Sequence, residues 1–132
     1  MTRRSSGKPT ELELLILKVL WDAGLPLPVR EIRSRLAENG RDLAHTSVIT
    51  MLNTMFDKRF LSRKKQANAF LFSPKVTRDE VSQRMLGDVV ERVFDGSAAA
   101  LMLSLFDCSD IDADEVKELR RLFNRKVKEQ QK

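Results

Sequence analysis

Hydrophobic residues recur at helical spacing in three segments of the N-terminal half of the chain. The first segment predicts a helix over Thr10–Ala23, capped by Thr10 and ended by Gly24, with apolar residues on two stripes. We therefore expect this helix to be buried on most sides. After an extended link at 25–27, a second helix is predicted from Pro28 to Glu38, because proline suits the first helical position. A third is predicted from Leu43 to Arg59.

The following segment has the short apolar runs and polar turn of a β-hairpin. Phe60–Lys65 and Phe70–Ser73 predict two strands around a turn at 66–69. Phe70 and Phe72 are expected to be core residues of this hairpin. Three helices followed by a hairpin is the element order of a winged helix-turn-helix, in which the hairpin is called the wing.

Three more helices are predicted in the C-terminal part. The segment from Thr77 to Glu80 is a capping box, and Val76 and Val81 are placed to form the hydrophobic staple around it, so a helix runs from here to about Asp95. A nearly all-apolar helix follows over 98–106, and Asp112 caps the last one. The predicted fold is mainly α with a small β-hairpin wing: a winged helix-turn-helix domain at 1–78 and a helical region at 79–132.

The C-terminal helices carry more apolar surface than three short helices can bury among themselves. A second copy of the chain is the simplest partner that would bury this surface, so we expect residues 79–132 to form a homodimer. The predicted interface consists of Leu86, Val90, Val93, Phe94, Leu101, Leu105, Leu119, Leu122 and Phe123.

The third predicted helix has an unusual outer face of small polar residues. A face chosen only for solvent would favour Glu and Lys, which form helices better than Thr, Ser and Asn. Thr, Ser and Asn side chains do, however, bond to base edges or phosphates when a helix enters the major groove, and an aliphatic side chain can contact a thymine methyl group. The predicted DNA-binding residues of this helix are Thr46, Ser47, Ile49, Thr50, Asn53 and Thr54.

The distribution of charge supports a polyanionic partner for the N-terminal part of the chain. Residues 1–78 hold 15 Lys and Arg against 7 Asp and Glu, a net charge of +8, whereas residues 79–132 hold 9 against 12, a net charge of −3. Arg63, Lys64 and Lys65, with Asn68 at the hairpin tip, give the wing a positive edge suited to phosphates or the minor groove. Basic residues also protect edge strands from aggregation, and both roles are compatible.

Other kinds of chemistry find little support in the residues. His45 is the only histidine and Cys108 the only cysteine, so neither a metal site, a cofactor site nor a catalytic group of nucleophile and base is expected, and we expect no enzyme. His45 suits a phosphate contact or a plain surface position equally, and Cys108 is expected to be a small buried apolar residue. No apolar run is long enough to span a bilayer, and the lone cysteine fits a cytoplasmic location.

Two classes of function fit these features. The first is a sequence-specific DNA-binding transcriptional repressor. The alternative is a winged-helix module for protein contacts or for RNA, without an operator of its own. An RNA reader would be expected to offer aromatic side chains for stacking, and a protein-contact module would not need the basic front half.

Four stretches resemble the BlaI/MecI-type penicillinase repressors, and the resemblance covers Pro9 to about Val127. They are TELELLILKVLW at 10–21, AHTSVITMLNTM at 44–55, FLFSP at 70–74 and the segment 112–123. The resemblance implies a dimeric repressor that binds a palindromic double-stranded DNA operator.

The resemblance also implies release from DNA when a regulatory protease cuts the C-terminal dimerisation region. The matching bond is Ser104–Leu105, where β-lactam-responsive relatives have Asn-Phe. Relatives commonly carry glycine at the position of Arg59, and those that respond to copper have paired cysteines, so copper sensing is not expected here.

Overall fold

The computed structural model describes residues 8–108 and 110–131. Its elements follow the predicted order of three helices, a hairpin and three helices, with one additional short strand. In chain order they are α1 (Glu11–Ala23), β1 (Leu27–Pro28), α2 (Val29–Glu38), α3 (His45–Asp57), β2 (Leu61–Gln66), β3 (Ala69–Pro74), α4 (Arg78–Val93), α5 (Ala98–Cys108) and α6 (Ala113–Gln130). The predicted fold class, mainly α with a hairpin wing, is confirmed.

One hydrophobic core lies in the winged-helix part of the chain. Helix α1 contributes four fully or nearly fully buried apolar residues, in agreement with the two stripes seen in its sequence. Burying an aliphatic side chain of this size stabilises a fold by about 1.5–3 kcal/mol. The core residues are Ile16, Leu17, Val19, Leu20, Leu27, Ile32, Leu36, Val48, Leu52, Met55, Phe60, Leu61, Phe72, Val76 and Val81.

The beginning of α1 is tied to the end of α3 by a buried carboxylate. Thr10 and Glu13 form a capping box, in which the Thr10 backbone N–H donates to Glu13 Oε1 at 2.9 Å and the Glu13 backbone N–H donates to Thr10 Oγ1 at 3.2 Å. The other carboxylate oxygen of the buried Glu13 accepts from Lys58 Nζ at 2.9 Å. A single side chain therefore caps one helix and anchors another.

The sheet contains a third strand that the sequence pattern did not predict. Strand order is β1-β3-β2, all antiparallel, and Leu27 and Pro28 pair with Phe72 and Leu71 of β3. Pro28 ends this strand and is the N-cap of α2, so its expected place as the first helical residue is wrong. Proline is tolerated here because a short edge strand does not require its missing N–H.

Helix α3 ends in a Schellman motif that places Arg59 in the left-handed region. The Phe60 backbone N–H donates to the Met55 carbonyl at 2.9 Å, and the Arg59 N–H donates to the Phe56 carbonyl at 3.0 Å. Arg59 has φ +70°, and Phe60 is buried directly after it. This is the position at which the family that the sequence resembles commonly carries glycine.

Replacing Arg59 with glycine should stabilise the fold. A side chain at positive φ is strained by about 1–2 kcal/mol relative to glycine, so Arg59→Gly is expected to raise the free energy of unfolding by about 1 kcal/mol and Tm by roughly 4 °C. Thermal unfolding monitored by circular dichroism measures this. Arg59→Ala removes the same charge but keeps Cβ, so it should give no such gain; an equal gain in both variants would show that charge and not backbone strain is responsible.

The start of α4 packs against the winged-helix core. The predicted capping box is confirmed: Glu80 N–H donates to Thr77 Oγ1 at 3.0 Å and Thr77 N–H to Glu80 Oε1 at 2.9 Å. Trp21 Nε1 donates to the Val76 carbonyl at 3.0 Å, and Val76 and Val81 are both buried. The first turn of α4 is thereby part of the winged-helix core.

The chain forms two compact units, of which one ends at Gly87 and the other begins at Asp88. The domain boundary after residue 78 stays a prediction, and residues 1–7 of that predicted domain lie outside the described residues. In the second unit, Ser97 Oγ accepts from the Ala100 N–H at 3.1 Å and Asp112 Oδ1 accepts from the Glu115 N–H at 2.9 Å, which caps α5 and α6. Within the described ranges, no helix is long and apolar enough to cross a membrane.

Candidate nucleic-acid interface

The outer face of α3 is exposed and consists of short polar side chains. Val48, Leu52 and Met55 bury the opposite face of this helix in the core. Helical geometry therefore turns the residues between them outward, and Ile49 lies half-buried at the margin of that face. The exposed residues are Thr46, Ser47, Thr50, Asn53 and Thr54, so all six of the residues predicted on this helix are accessible to a ligand to some degree.

The turn between α2 and α3 is fixed by backbone and side-chain hydrogen bonds. Gly40 adopts φ +86° after α2, and Arg33 Nε donates to the Leu43 carbonyl at 2.7 Å. Ala44 is the N-cap of α3 and makes no side-chain cap hydrogen bond. The first turn of α3, with Thr46 and Ser47, is thus held by α2 while its outer face stays accessible.

The basic residues of the wing are exposed but lie on different faces of β2. Successive side chains of a strand point to opposite faces, so Arg63 and Lys65 share the face of the buried Leu61, whereas Lys64 lies on the other. The ammonium groups of Lys64 and Lys65 make no ion pair within the described part of the chain. Asn68 is exposed in the two-residue turn of the hairpin. The wing therefore offers free cations on two sides.

Arg63 differs from the two lysines because it contacts α3. Its Nη1 donates to Asn53 Oδ1 at 3.1 Å, and its guanidinium carbon lies 4.0 Å from the ring centroid of Phe56 and 4.8 Å from that of Phe70. Phe72 is buried as expected, but Phe70 is 41% exposed, so its expected place in the hairpin core is wrong. Both rings lie on the same face of β3, but Phe70 is nearer the hairpin tip, where it packs on the Arg63 guanidinium instead of the core.

A groove of about 520 Å³ lies between the start of α2, α3 and β3. Among its described lining residues, Arg30, His45 and Arg63 carry the basic groups, and no acidic side chain lines it. Arg30 is not among the DNA-binding residues that the sequence predicts, and His45 suits a phosphate contact or a surface position equally. The signal that could have found Arg30 is its position in the first turn of α2, the helix that directly precedes the turn to α3.

The residues predicted for a dimer interface are accessible in the single chain. No residue of α5 or α6 is buried, and both helices are described along their whole length. Leu86, Val93, Leu105, Leu119 and Phe123 are exposed, Phe123 to 56%, which is high for an aromatic side chain. The remaining four, which are half-buried, are Val90, Phe94, Leu101 and Leu122.

The bond between Ser104 and Leu105 lies inside α5, and Leu105 is 45% exposed. Because the bond is part of a helix, cutting it would require local opening of that helix. Cys108, at the end of the same helix, is exposed, so the expectation that it is buried is wrong. Its helix has no buried residue in the single chain, which leaves the thiol at the surface.

The geometry defines a winged-helix protein whose third helix presents a polar outer face beside a basic wing. Residues 9–125 match the family model described as Penicillinase repressor. The chain belongs to the penicillinase repressor family, and the resemblance to BlaI/MecI-type proteins is confirmed.

Two sequence relatives agree with this family. The transcriptional regulator BlaI of Mycobacterium tuberculosis is 30% identical over 112 residues, which cover 84% of this chain and 79% of BlaI. The methicillin resistance regulatory protein MecI of Mammaliicoccus sciuri is 26% identical over 86 residues, which cover 65% of this chain and 70% of MecI. A solved structure of a point mutant of Lactococcus lactis ZitR aligns with a TM-score of 0.44 and 16% identity, covering 100% of this chain and 82% of that one.

Proposed function

We propose that this protein is a transcriptional repressor that binds a palindromic double-stranded DNA operator as a homodimer. The observation that carries the proposal is the exposed Thr, Ser and Asn face of α3 beside free lysines of the wing. Membership of the penicillinase repressor family supports the same class of activity. Regulators of this kind act by binding, so no catalytic role is proposed.

In this proposal α3 enters the major groove with its N-terminal end first. Thr46, Ser47 and Thr50 lie nearest that end and would contact base edges or phosphates, while Ile49 would meet a thymine methyl group. Asn53 and Thr54 lie farther along the same face. These residues would supply the part of the affinity that depends on sequence.

The basic groups would supply the part that depends on charge. Lys64 and Lys65 on the wing, and Arg30 and His45 in the groove between α3 and the wing, would meet phosphates beside the helix. Contacts of this kind position a protein on DNA without reading the bases. The predicted cytoplasmic location agrees with a DNA partner.

The exposed apolar surface of α4, α5 and α6 supports a second copy of the chain as partner. Two-fold symmetry would then require inverted half-sites about 10 base pairs apart or a multiple of that distance. A regulatory protease that acts on Ser104–Leu105 stays a prediction from the family resemblance. Burial of α5 in the dimer would make that bond still harder to reach.

The RNA alternative has less support from the surface. In the winged-helix unit, Phe70 is the most exposed aromatic among the described residues, and the Arg63 guanidinium lies over its ring. Stacking of unpaired bases would have to displace this contact. A module for protein contacts alone would leave the lysines of the wing without a role.

Substitution of one wing lysine and one α3 threonine tests the proposal. Lys64→Ala should weaken binding to all DNA sequences and reduce the slope of log affinity against log salt concentration by about one unit. Thr50→Ala should preferentially weaken binding to the cognate site and leave the slope unchanged. Fluorescence anisotropy with operator and random duplexes, at several salt concentrations, measures both.

Lys18→Ala is the matched control, since Lys18 is an exposed lysine on α1, outside the proposed interface. It removes the same charge and should leave the salt slope as it is. Equal losses on operator and random DNA for Thr50→Ala, or a slope that Lys64→Ala does not change, would contradict the proposed roles. Tight binding of single-stranded RNA with no preference for duplex DNA would favour the alternative.

A further inference from the structure

The contact between Arg63 and Asn53 joins the wing to the reading face of α3. Asn53 Oδ1 accepts from Arg63 Nη1 at 3.1 Å, and because a guanidinium has only donors, the amide must turn its oxygen toward the wing. Its two N–H donors then point to the other side. The structure therefore fixes the orientation of an amide on the proposed reading face.

Arg63 is itself held by aromatic contacts on two elements. Its guanidinium carbon is 4.0 Å from the ring centroid of Phe56 on α3 and 4.8 Å from that of Phe70 on β3. Planar guanidinium groups stack on rings in this way, and an ammonium group does not reproduce both the stacking and a planar hydrogen bond. Arg63 is thus ordered by the protein, in contrast to the free ammonium groups of Lys64 and Lys65.

We propose that Arg63 is a positioning residue that makes Asn53 a hydrogen-bond donor to DNA. This inference rests on the proposed function. An Asn amide that reads adenine uses its oxygen to accept from N6 and its nitrogen to donate to N7. With its oxygen bonded to Arg63, Asn53 instead favours a base that offers acceptors in the major groove, which is guanine through N7 and O6 or thymine through O4.

The same arrangement assigns a different role to each basic residue of the wing. Lys64 and Lys65 neutralise phosphates, whereas the charge of Arg63 is directed to two aromatic rings and an amide. A phosphate contact contributes to the salt slope and carries no base preference. A positioning residue contributes to the base preference and leaves the salt slope unchanged. Measuring both quantities therefore distinguishes the two roles.

Two substitutions of Arg63 distinguish a positioning residue from a phosphate contact. Arg63→Met removes the charge and every donor, so the Asn53 amide can turn, whereas Arg63→Lys keeps the charge and a donor but cannot stack on both rings. Selection of bound duplexes from a random pool identifies the base pair at which Asn53→Ala loses its preference. At that base pair Arg63→Met should lose the guanine or thymine preference or turn it toward adenine by about 5-fold or more, and Arg63→Lys should weaken it.

The salt slope gives an independent readout on the same proteins. Arg63→Met should leave the slope as in the unaltered chain, while Lys64→Met, the matched control, should reduce it by about one unit. A one-unit reduction in Arg63→Met, with binding and base preference kept in Arg63→Lys, would overturn the inference and make Arg63 a phosphate contact. An Asn53→Ala protein with unchanged preference at every base pair would overturn it as well.

The experiment separates failure of this inference from failure of the proposed function. If the unaltered chain selects no sequence, the proposed operator binding is wrong and Arg63 has no DNA-reading amide to position. If it selects a site but the two variants behave as phosphate-contact variants, only the inference is wrong. Arg63 is exposed on an edge strand, and the two roles predict different results for each variant, so either variant that keeps the thermal unfolding midpoint decides the question.

Discussion

Phe123→Lys should convert the protein to a monomer and weaken its binding to a palindromic operator by about 100-fold or more, because two linked half-site contacts gain that much from effective concentration. Phe123 is 56% exposed on α6 in the single chain, beside the exposed Leu119. Placing an ammonium group in a dimer interface built from these side chains would bury an unpaired charge. Light scattering at micromolar concentration, together with operator binding, measures both effects.

The neighbouring residue supplies the control for this substitution. Asn124→Lys adds the same charge at the next position of α6, outside the apolar stripe. This variant should remain a dimer and bind the operator with unchanged affinity. Binding to an isolated half-site should be similar for both variants and the unaltered chain. A monomer already in the unaltered chain, or a dimer that survives Phe123→Lys with full affinity, would rule out this interface.

Lys58→Met should lower the free energy of unfolding by about 2 kcal/mol, which corresponds to a fall in Tm of roughly 8 °C. The substitution leaves the buried Glu13 carboxylate without the cation that lies 2.9 Å away. Breaking a fully buried ion pair costs about 3–5 kcal/mol, and the smaller figure allows for the solvent that reaches Lys58, whose side chain is 32% exposed. Thermal and urea unfolding of the full chain measure the loss.

A second substitution distinguishes an uncompensated charge from lost packing. Glu13→Gln combined with Lys58→Met removes both charges, and the amide oxygen can still accept from the Thr10 backbone N–H. More than half of the lost stability should return in this double variant. If the double variant is no more stable than Lys58→Met alone, the loss comes from the packing of the lysine stem and the argument from charge is wrong.

The sequence by itself determined the order and type of every element except β1. Helical periodicity, the Thr77–Glu80 capping box and the two short apolar runs around a polar turn identified three helices, a hairpin and three helices, because these signals arise from contacts between residues a few positions apart. The same local signals identified the polar face of α3, since one buried stripe fixes which residues of a helix point outward.

Only the tertiary structure decided which residues meet across large separations in the chain. The pairing of β1 with β3, the Glu13–Lys58 ion pair and the contacts of Arg63 with α3 join segments that no periodic pattern connects. From the sequence, Arg63, Lys64 and Lys65 have the same predicted role, because nothing in a run of adjacent basic residues shows which of them contacts another element. The strand places Lys64 on the opposite face, and Lys65, which shares the face of Arg63, lies nearer the hairpin tip. It is therefore Arg63 whose guanidinium reaches Asn53.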